Sequence, residues 1–419
     1  MTRRALLVVL ALAACDDPAP RPTFTVGGAH ACILDADGRL RCFGGNNDWP
    51  VPVDWSGDPT QSYVVPPVDV GKTVLDVSAG GMHTCAVVVT GEIHCWGRGP
   101  GTGTERPWRA SVAINRPVDA PFLRVRAASD STCGITDAGT LFCWGTDFNG
   151  ELGHEPGAEL LDPATAGPVP LPFAVRDVAL ASSTTCAIVD DGSVACWGGY
   201  LGLAADARPV DLGGPAIQIG GDYGTFCALL EHGGVRCWGS AFRGMLGHGD
   251  DQSVCWPACD EEPCCADGQP TPAERGDLPL GAPAIDLSVG NDHACAVLED
   301  HTVRCWGYNH VGQLGLGHTE TIGDDELPAQ VDVGGPADVV VAGRGDRTCV
   351  RLHDGTHRCW GATERWQYVD ESECYVTVPN PNAGSICEPE TIQEFACDAR
   401  EVCCLGDDET AGAALPVPL

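Results

Sequence analysis

Fourteen of the 24 cysteines in this 419-residue chain fall into seven pairs, and every pair has a separation of ten. The pairs are Cys32 with Cys42, Cys85 with Cys95, Cys133 with Cys143, Cys186 with Cys196, Cys227 with Cys237, Cys295 with Cys305, and Cys349 with Cys359. A three-residue loop is centred within each pair: Ala36-Asp37-Gly38, Val89-Thr90-Gly91, Asp137-Ala138-Gly139, Asp190-Asp191-Gly192, Glu231-His232-Gly233, Glu299-Asp300-His301 and His353-Asp354-Gly355. Six of the seven end in glycine. A three-residue hairpin loop needs a left-handed residue at its last position, and glycine takes that conformation without steric cost. His301 is the exception and is expected to carry a small strain. Counted outward from such loops, the cysteines land on non-hydrogen-bonded pairs, where Cα atoms approach to about 4.5 Å, within reach of a disulfide. Seven cross-strand disulfides are therefore expected, each contributing about 2–3 kcal/mol by closing so short a loop.

Most of the other cysteines lie in two insertions, 250–277 and 370–409, which contain the related phrases "ACDEEPCC" and "ACDAREVCC". Cys255, Cys259, Cys264 and Cys265 have spacings that zinc can use. Adjacent cysteines chelate awkwardly, however, and an oxidising compartment favours disulfides. With Cys374, Cys387, Cys397, Cys403 and Cys404 these make nine cysteines, apart from Cys15 and the hairpin pairs. Nine is odd, so at least one is expected to be free or bonded to another molecule, and the pairing stays open. The insertions are acidic: Asp260, Glu261 and Glu262 in the first, and Asp370, Glu371 and Glu373 in the second, are the candidate partner-binding positions. Calcium takes carboxylate clusters, and "GDDE" occurs at 323–326 and 406–409. Neither run has the spacing of a dedicated calcium loop. A solvated acidic rim is expected, no cofactor is assigned, and calcium remains an alternative.

His30, His83 and His293 share one repeat position, where the other copies have Ser131, Thr184, Thr225 and Arg347. Recurrence in three copies argues for structural contacts between repeats rather than catalysis. Trp96, Trp144, Trp197, Trp238, Trp306 and Trp360 recur likewise, as packing between repeats. His154, His248 and His318 follow Leu-Gly or Gly-Leu-Gly in loops and read as solvated. No nucleophile elbow, phosphate-binding glycine loop, His-Glu-x-x-His or paired-carboxylate signal appears, and no catalytic residue is assigned.

These residues need strands to hold them. An apolar segment such as "VLDVSAGG", "AIQIGGD" or "AIDLSVG" precedes each hairpin, and a Pro-led segment such as "PPVDVG", "RPVDA", "GPVPL" or "RPVDLG" follows. Four strands in each of seven units predict an all-β fold: one seven-bladed β-propeller over 23–419, closed by strands from both ends of the chain, "TFTVGG" and "LPVPL". Both insertions follow a third strand, which places them on one face of the circle. The 54 glycines and 32 prolines agree with many short strands and turns. Residues 1–14 read as a leader: Arg3 and Arg4 precede an apolar run too short to span a bilayer. The ending "LAAC" resembles the lipobox of bacterial lipoproteins, which implies cleavage before Cys15, lipid on Cys15, and a short tether over 15–22. Loss of the leader's two arginines takes the formal charge from −34 to −36. So acidic a chain is repelled by nucleic-acid phosphates and anionic lipid. Membrane contact is expected through the lipid alone, and the chain is expected to be a monomer.

The phrases "GGMHTCAVVVTGEIHCWG" and "GNDHACAVLEDHTVRCWGYNHVGQLGLG" resemble the repeat of the regulator of chromosome condensation family. "NGELGH" and "RGMLGH" are weaker echoes. The resemblance covers most of 23–419 and implies a seven-bladed propeller. The cysteine pairs and Phe43, in place of the first tryptophan, depart from the family pattern. The eponymous members act on chromatin and as nucleotide exchange factors for a small GTPase, partners that an exported acidic chain does not meet. Exported bacterial relatives that bind proteins, including a propeller inhibitor of β-lactamases, are nearer in setting. The expected function is a non-enzymatic cell-envelope lipoprotein that binds an envelope or extracellular protein through its acidic loops. The alternatives are an envelope lyase or hydrolase with a site at the channel mouth, and a calcium-dependent surface or glycan binder. A polar cluster that breaks the sevenfold pattern at the axis would favour a channel site.

Overall fold

The seven cysteine pairs mark the centres of seven antiparallel sheets in the computed structural model, which describes residues 23–28, 30–44, 68–97, 99, 108–113, 121–154, 166–201, 204–222, 224–254 and 269–362. In every sheet the two cysteines face each other across the second and third strands. Cys32 is bonded to Cys42, Cys85 to Cys95, Cys133 to Cys143 and Cys186 to Cys196. Cys227 is bonded to Cys237, Cys295 to Cys305 and Cys349 to Cys359. Their Cα atoms are 4.0–4.1 Å apart, somewhat closer than the spacing of an unbridged pair, because the short S–S link draws the two strands together. The last loop residue is left-handed in all seven, with φ from +74° at Gly38 to +86° at Gly355, and +63° at His301. Loop chemistry and register therefore agree, as the spacing requires.

The first sheet consists of Thr23–Val26, His30–Leu34 and Leu40–Gly44. The second has Val74–Ala79, His83–Val88, Ile93–Gly97 and Trp108–Ala113; the third Phe122–Ala127, Ser131–Thr136 and Leu141–Gly145. The fourth has Val175–Leu180, Thr185–Val189, Val194–Trp197 and Arg208–Val210; the fifth Ala216–Asp222, Thr225–Leu230 and Val235–Gly239. The sixth has Ala284–Val289, His293–Leu298, Val303–Gly307 and Ala329–Val331; the seventh Ala337–Ala342, Arg347–Leu352 and His357–Gly361. The second strands carry the core, with His83–Val88, Thr225–Leu230 and His293–Leu298 buried at every position. Between sheets the core is filled by the third-strand tryptophans, of which Trp144, Trp197, Trp238, Trp306 and Trp360 are fully buried.

The fourth strand is the least regular. The second sheet's fourth strand is Trp108–Ala113, and "RPVDA", which the Pro-led pattern selects, lies outside the described residues. In the first, third and fifth sheets the Pro-led segment docks by one backbone bond, from Val68, Val169 or Leu278 to the third strand. The C-terminal "LPVPL", both insertions' cysteines and the leader lie outside the described residues.

The first strand of each sheet lies against the first strand of the next, and that of the seventh against that of the first. Phe24, Val26, Ala31 and Ile33 of the first sheet pack with Cys349 of the seventh. The seven first strands enclose one central cavity of about 360 Å³. Sheets two to seven each carry a β-bulge at the start of this strand, as between Val74 and Asp76 or Ala284 and Asp286. A bulge re-aims the following side chain. Here the residue after it, Asp76, Arg124, Asp177, Gln218, Asp286 or Val339, lines the cavity.

Candidate functional site

Each first strand is the edge of its own sheet, so its outward N–H groups have no ladder partner and must be satisfied otherwise. The cavity-lining side chains do this laterally. Thr25 accepts the Ala79 N–H (3.0 Å), Ser78 that of Ala127 (2.9 Å) and Ser288 that of Ala342 (3.0 Å). Asp76 takes the Val125 N–H (3.0 Å), Gln218 that of Leu287 (3.1 Å) and Asp286 that of Val340 (2.9 Å). Burial pushes the Asp286 carboxyl up to about 6, and it raises that of Asp76 as well.

On the second, third and fourth sheets this pattern gives way to a charged wall. Arg126 reaches both Asp76 (3.1 Å) and Asp177 (2.8 Å), and Arg124 reaches Asp177 (3.2 Å). Burial opposes the Arg126 charge, but Asp177 and Asp76 outweigh it and its pKa rises. The opposite wall has Gly220, Val289, Val339 and Val341 together with Gln218, Asp286 and Ser288, and these include no arginine–carboxylate pair. This cluster breaks the sevenfold pattern at the axis. Above it, the first turn of the seventh sheet runs over five residues, Gly343 to Arg347, where Gly80 to His83 runs over four. The longer turn lets Arg344 cross the cavity mouth, bonding Asp222 of the fifth sheet (2.7 Å) and the Leu180 carbonyl of the fourth (3.0 Å).

The mouth turns and the loops after the third strands share a face, as bonds from Ser131 to the Thr146 carbonyl and from Thr225 to the Ser240 carbonyl show. The described flanks of the first insertion emerge there: Val254 pairs with the end of the third strand at Gly239, and Arg275 binds Asp250. Asp250 is therefore tethered rather than part of a free acidic rim. Asp260, Glu261, Glu262, Asp370, Glu371, Glu373 and Cys15 lie outside the described residues. Two aromatics at one repeat position stand out from this face, Phe148 (72% exposed) and Phe242 (67%). Beside Phe242 is a second cavity of about 430 Å³, lined also by Arg243, Met245 and Asp292. Arg243 is left-handed (φ +59°), pairs with Asp292 (2.5 Å) and lies over Tyr308 (4.0 Å to the ring centre), which stacks on His310. Asp324, Asp325 and Glu326 converge at the surface of this loop region, each able to offer a carboxylate oxygen.

The repeated histidines are contacts between sheets. His30, His83 and His293 bond Thr84 (2.6 Å), Thr132 (2.8 Å) and Thr348 (2.7 Å), each on the next sheet. Burial lowers their pKa values to about 4, 3 and 3, so all three are neutral. The glycine three residues earlier makes room: a Cβ on Gly80 would meet His83 at 2.4 Å and the Ala128 carbonyl at 2.2 Å. Trp306 and Trp360 donate to the loop carbonyls of Met245 and Gln313 on the preceding sheets. The expectation of solvated loop histidines does not hold for His154 and His248. Their Nε2 atoms are buried, and burial lowers both pKa values, His248 to about 4. The left-handed glycine before each, Gly153 or Gly247, folds its loop onto the next sheet's tryptophan.

The sequence profile of the Regulator of chromosome condensation (RCC1) repeat matches residues 24–48, 74–100 and 284–313, the first, second and sixth sheets, where the Gly-x-x-His pattern sits. The chain carries RCC1 repeats. Among curated relatives, the Regulator of chromosome condensation of Mus musculus is 30% identical over 136 residues, 31% of this chain and 32% of that protein. E3 ubiquitin-protein ligase HERC2 of Homo sapiens is 27% identical over 314 residues, 70% of this chain and 6% of that protein. The chain thus matches a third or less of either relative's length. Among solved structures, Prp20p of Saccharomyces cerevisiae is similar with a TM-score of 0.61 and 17% identity, covering 77% of this chain and 80% of that one. That likeness establishes the fold: an RCC1-like propeller scaffold of seven disulfide-bonded sheets.

Sequence reasoning passed over Arg124, Arg126, Arg344, Phe148 and Phe242. A signal existed for each. "FLRVRA" puts Arg124 where sister repeats carry Asp76, Asp177, Gln218 or Asp286, and Arg126 where they carry Thr25, Ser78 or Ser288, and Arg344 sits in a turn one residue too long. Phe148 and Phe242 share the position after "WG-x-x".

Proposed function

We propose that this chain is an exported, lipid-anchored protein of the bacterial cell envelope whose seven sheets form a closed seven-bladed propeller that binds a protein partner on its insertion-bearing face. The observation that carries the reading is the pair Phe148 and Phe242, large apolar side chains at matching repeat positions, held in solvent on the face from which the first insertion departs. Exposed aromatics on a rigid scaffold are the side chains that anchor protein interfaces. Seven disulfides suit an oxidising compartment, which supports export and lipid at Cys15. Prp20p, a structural neighbour, was studied for its binding to Gsp1p and histones. In this acidic chain the partner is proposed to be an envelope or extracellular protein instead.

The test is capture of partners from detergent-solubilised envelopes with the lipidated protein, a double variant carrying Phe148→Ser and Phe242→Ser, and a variant lacking 255–268 and 372–404. A partner held by the intact protein and lost from both variants supports the face. A partner retained by both, or none at all, overturns it. One observation favours a second reading, a small-ligand or enzyme site in the channel: the ion-paired wall of Asp76, Arg124, Arg126 and Asp177 on one side of the cavity. A ligand whose binding is abolished by Arg126→Met but not by the phenylalanine changes would establish it.

A further inference from the structure

The loop 146–154 of the third sheet and its counterpart beginning at Tyr308 in the sixth have the same design, with one difference in chemistry. In the sixth sheet Asn309 accepts the Leu314 N–H through Oδ1 (2.9 Å) and donates through Nδ2 to the His318 carbonyl (2.6 Å). Gln313 accepts the Val311 N–H (3.1 Å). Both faces of the asparagine amide are used. In the third sheet the same two positions hold Asp147 and Glu151. Asp147 Oδ1 accepts the Leu152 N–H (3.3 Å), and Glu151 accepts those of Phe148 (3.2 Å) and Asn149 (2.6 Å). Asp147 Oδ2 is buried without a hydrogen-bond partner among the described residues, and the one further backbone donor acting on the carboxyl is the Gly150 N–H. The two side chains are 1% and 5% exposed. An ionised carboxylate can only accept, so a buried oxygen facing no donor calls for a proton of its own.

Among the described residues the surroundings supply no counter-charge. Along the loop, the titratable neighbours are Glu151, whose carboxyl lies within hydrogen-bonding reach of Asp147, and His154, whose pKa burial lowers. From the adjoining mouth turn there is Asp130, which is exposed. The fourth sheet presents the Thr185 hydroxyl, which donates to the Glu151 carbonyl (2.7 Å), and the Gly199 N–H, which donates to that of Asn149 (2.7 Å). No lysine or arginine among the described residues pairs with either carboxyl. Two carboxyls packed together without a cation hold a proton in common.

We infer that Asp147 and Glu151 share one proton, and that its loss loosens this loop from the fourth sheet and changes how Phe148 is presented. Only the last step rests on the proposed binding face. Burial, with Glu151 adding to it, pushes the Asp147 carboxyl up to about 7, which puts the change between mildly acidic and mildly alkaline conditions.

The test is hydrogen exchange of the full chain at pH 5.5 and pH 8, with intrinsic rates divided out. Protection of the Leu152 and Gly199 amides is expected to fall at least tenfold in the wild type and to stay within twofold in Asp147→Asn, whose side chain carries no titrating proton. An equal fall in both overturns the shared proton. Should Asp147→Asn not fold, Glu151→Gln is expected to move the midpoint of the wild-type transition to lower pH, and an unmoved midpoint overturns the inference. Partner capture at the two pH values separates the two claims. A partner that binds equally at both, while exchange still responds to pH, overturns the coupling to Phe148 and leaves the proton pair standing.

Discussion

His301 closes its hairpin at φ +63°, where the six sister loops have glycine, and its Nδ1–H donates to the Ala337 carbonyl (3.0 Å). A left-handed non-glycine residue costs about 1–2 kcal/mol, and a half-exposed hydrogen bond returns less than that. His301→Gly is therefore expected to raise stability by about 0.5–1 kcal/mol in urea unfolding, and a loss would mean that the bond outweighs the backbone. The buried imidazoles act with a definite sign. His293 is neutral in the folded chain down to about pH 3, whereas in the unfolded chain it takes a proton near 6.5. Between those values the unfolded state holds the extra proton, so this residue's contribution is intact above about pH 6.5 and is lost as pH falls. In His293→Gln the acid limb of stability against pH is expected to be shallower by about 1.4 kcal/mol per pH unit. Parallel limbs for variant and wild type would show that the imidazole does not stay neutral.

Inner strands that lie side by side without a shared ladder depend on a few hydroxyls and carboxylates. Ser288→Ala leaves the Ala342 N–H without its acceptor and is expected to cost about 1–2 kcal/mol, read by thermal or urea unfolding. No change would mean that water replaces the hydroxyl from the cavity. At this scale the sequence was unevenly informative. The hairpins were legible because two independent signals, cysteine spacing and the loop glycine, fix one register. The first strands were legible as strands but not in their facing. A plain period of two cannot show that Ile285 is the bulged residue and that Asp286 turns inward. The fourth strand of the second sheet, Trp108–Ala113, lies ahead of the segment "RPVDA" that the Pro-led pattern selects, and so was not legible. The charged wall was hidden because Arg124 and Arg126 meet Asp76 and Asp177 only after three repeats have been set side by side.

For the molecule as a whole, the first strands lie against one another from sheet to sheet and line one cavity. The repeat count made seven like sheets legible. Their asymmetry was not, because Arg344 acts across the cavity mouth on residues more than 120 positions away. The cysteine count also belongs here. With seven hairpin disulfides formed, nine cysteines remain besides Cys15. Thiol titration of the unfolded, unreduced protein is expected to find one free thiol per chain, or non-reducing electrophoresis a reducible dimer. Finding neither would mean that the pairing differs from seven closed hairpins.

The staples also set how the chain behaves under tension. Each disulfide, from Cys32 with Cys42 to Cys349 with Cys359, joins residues ten apart at a Cα separation near 4 Å, so the segment between them cannot straighten when the two ends of the protein are pulled. That withholds about 30 Å of contour per sheet and roughly 200 Å over seven. A protein tethered at one end and gripped at the other would reach its limit early and stiffly, and a reductant would release the hidden length in seven equal steps.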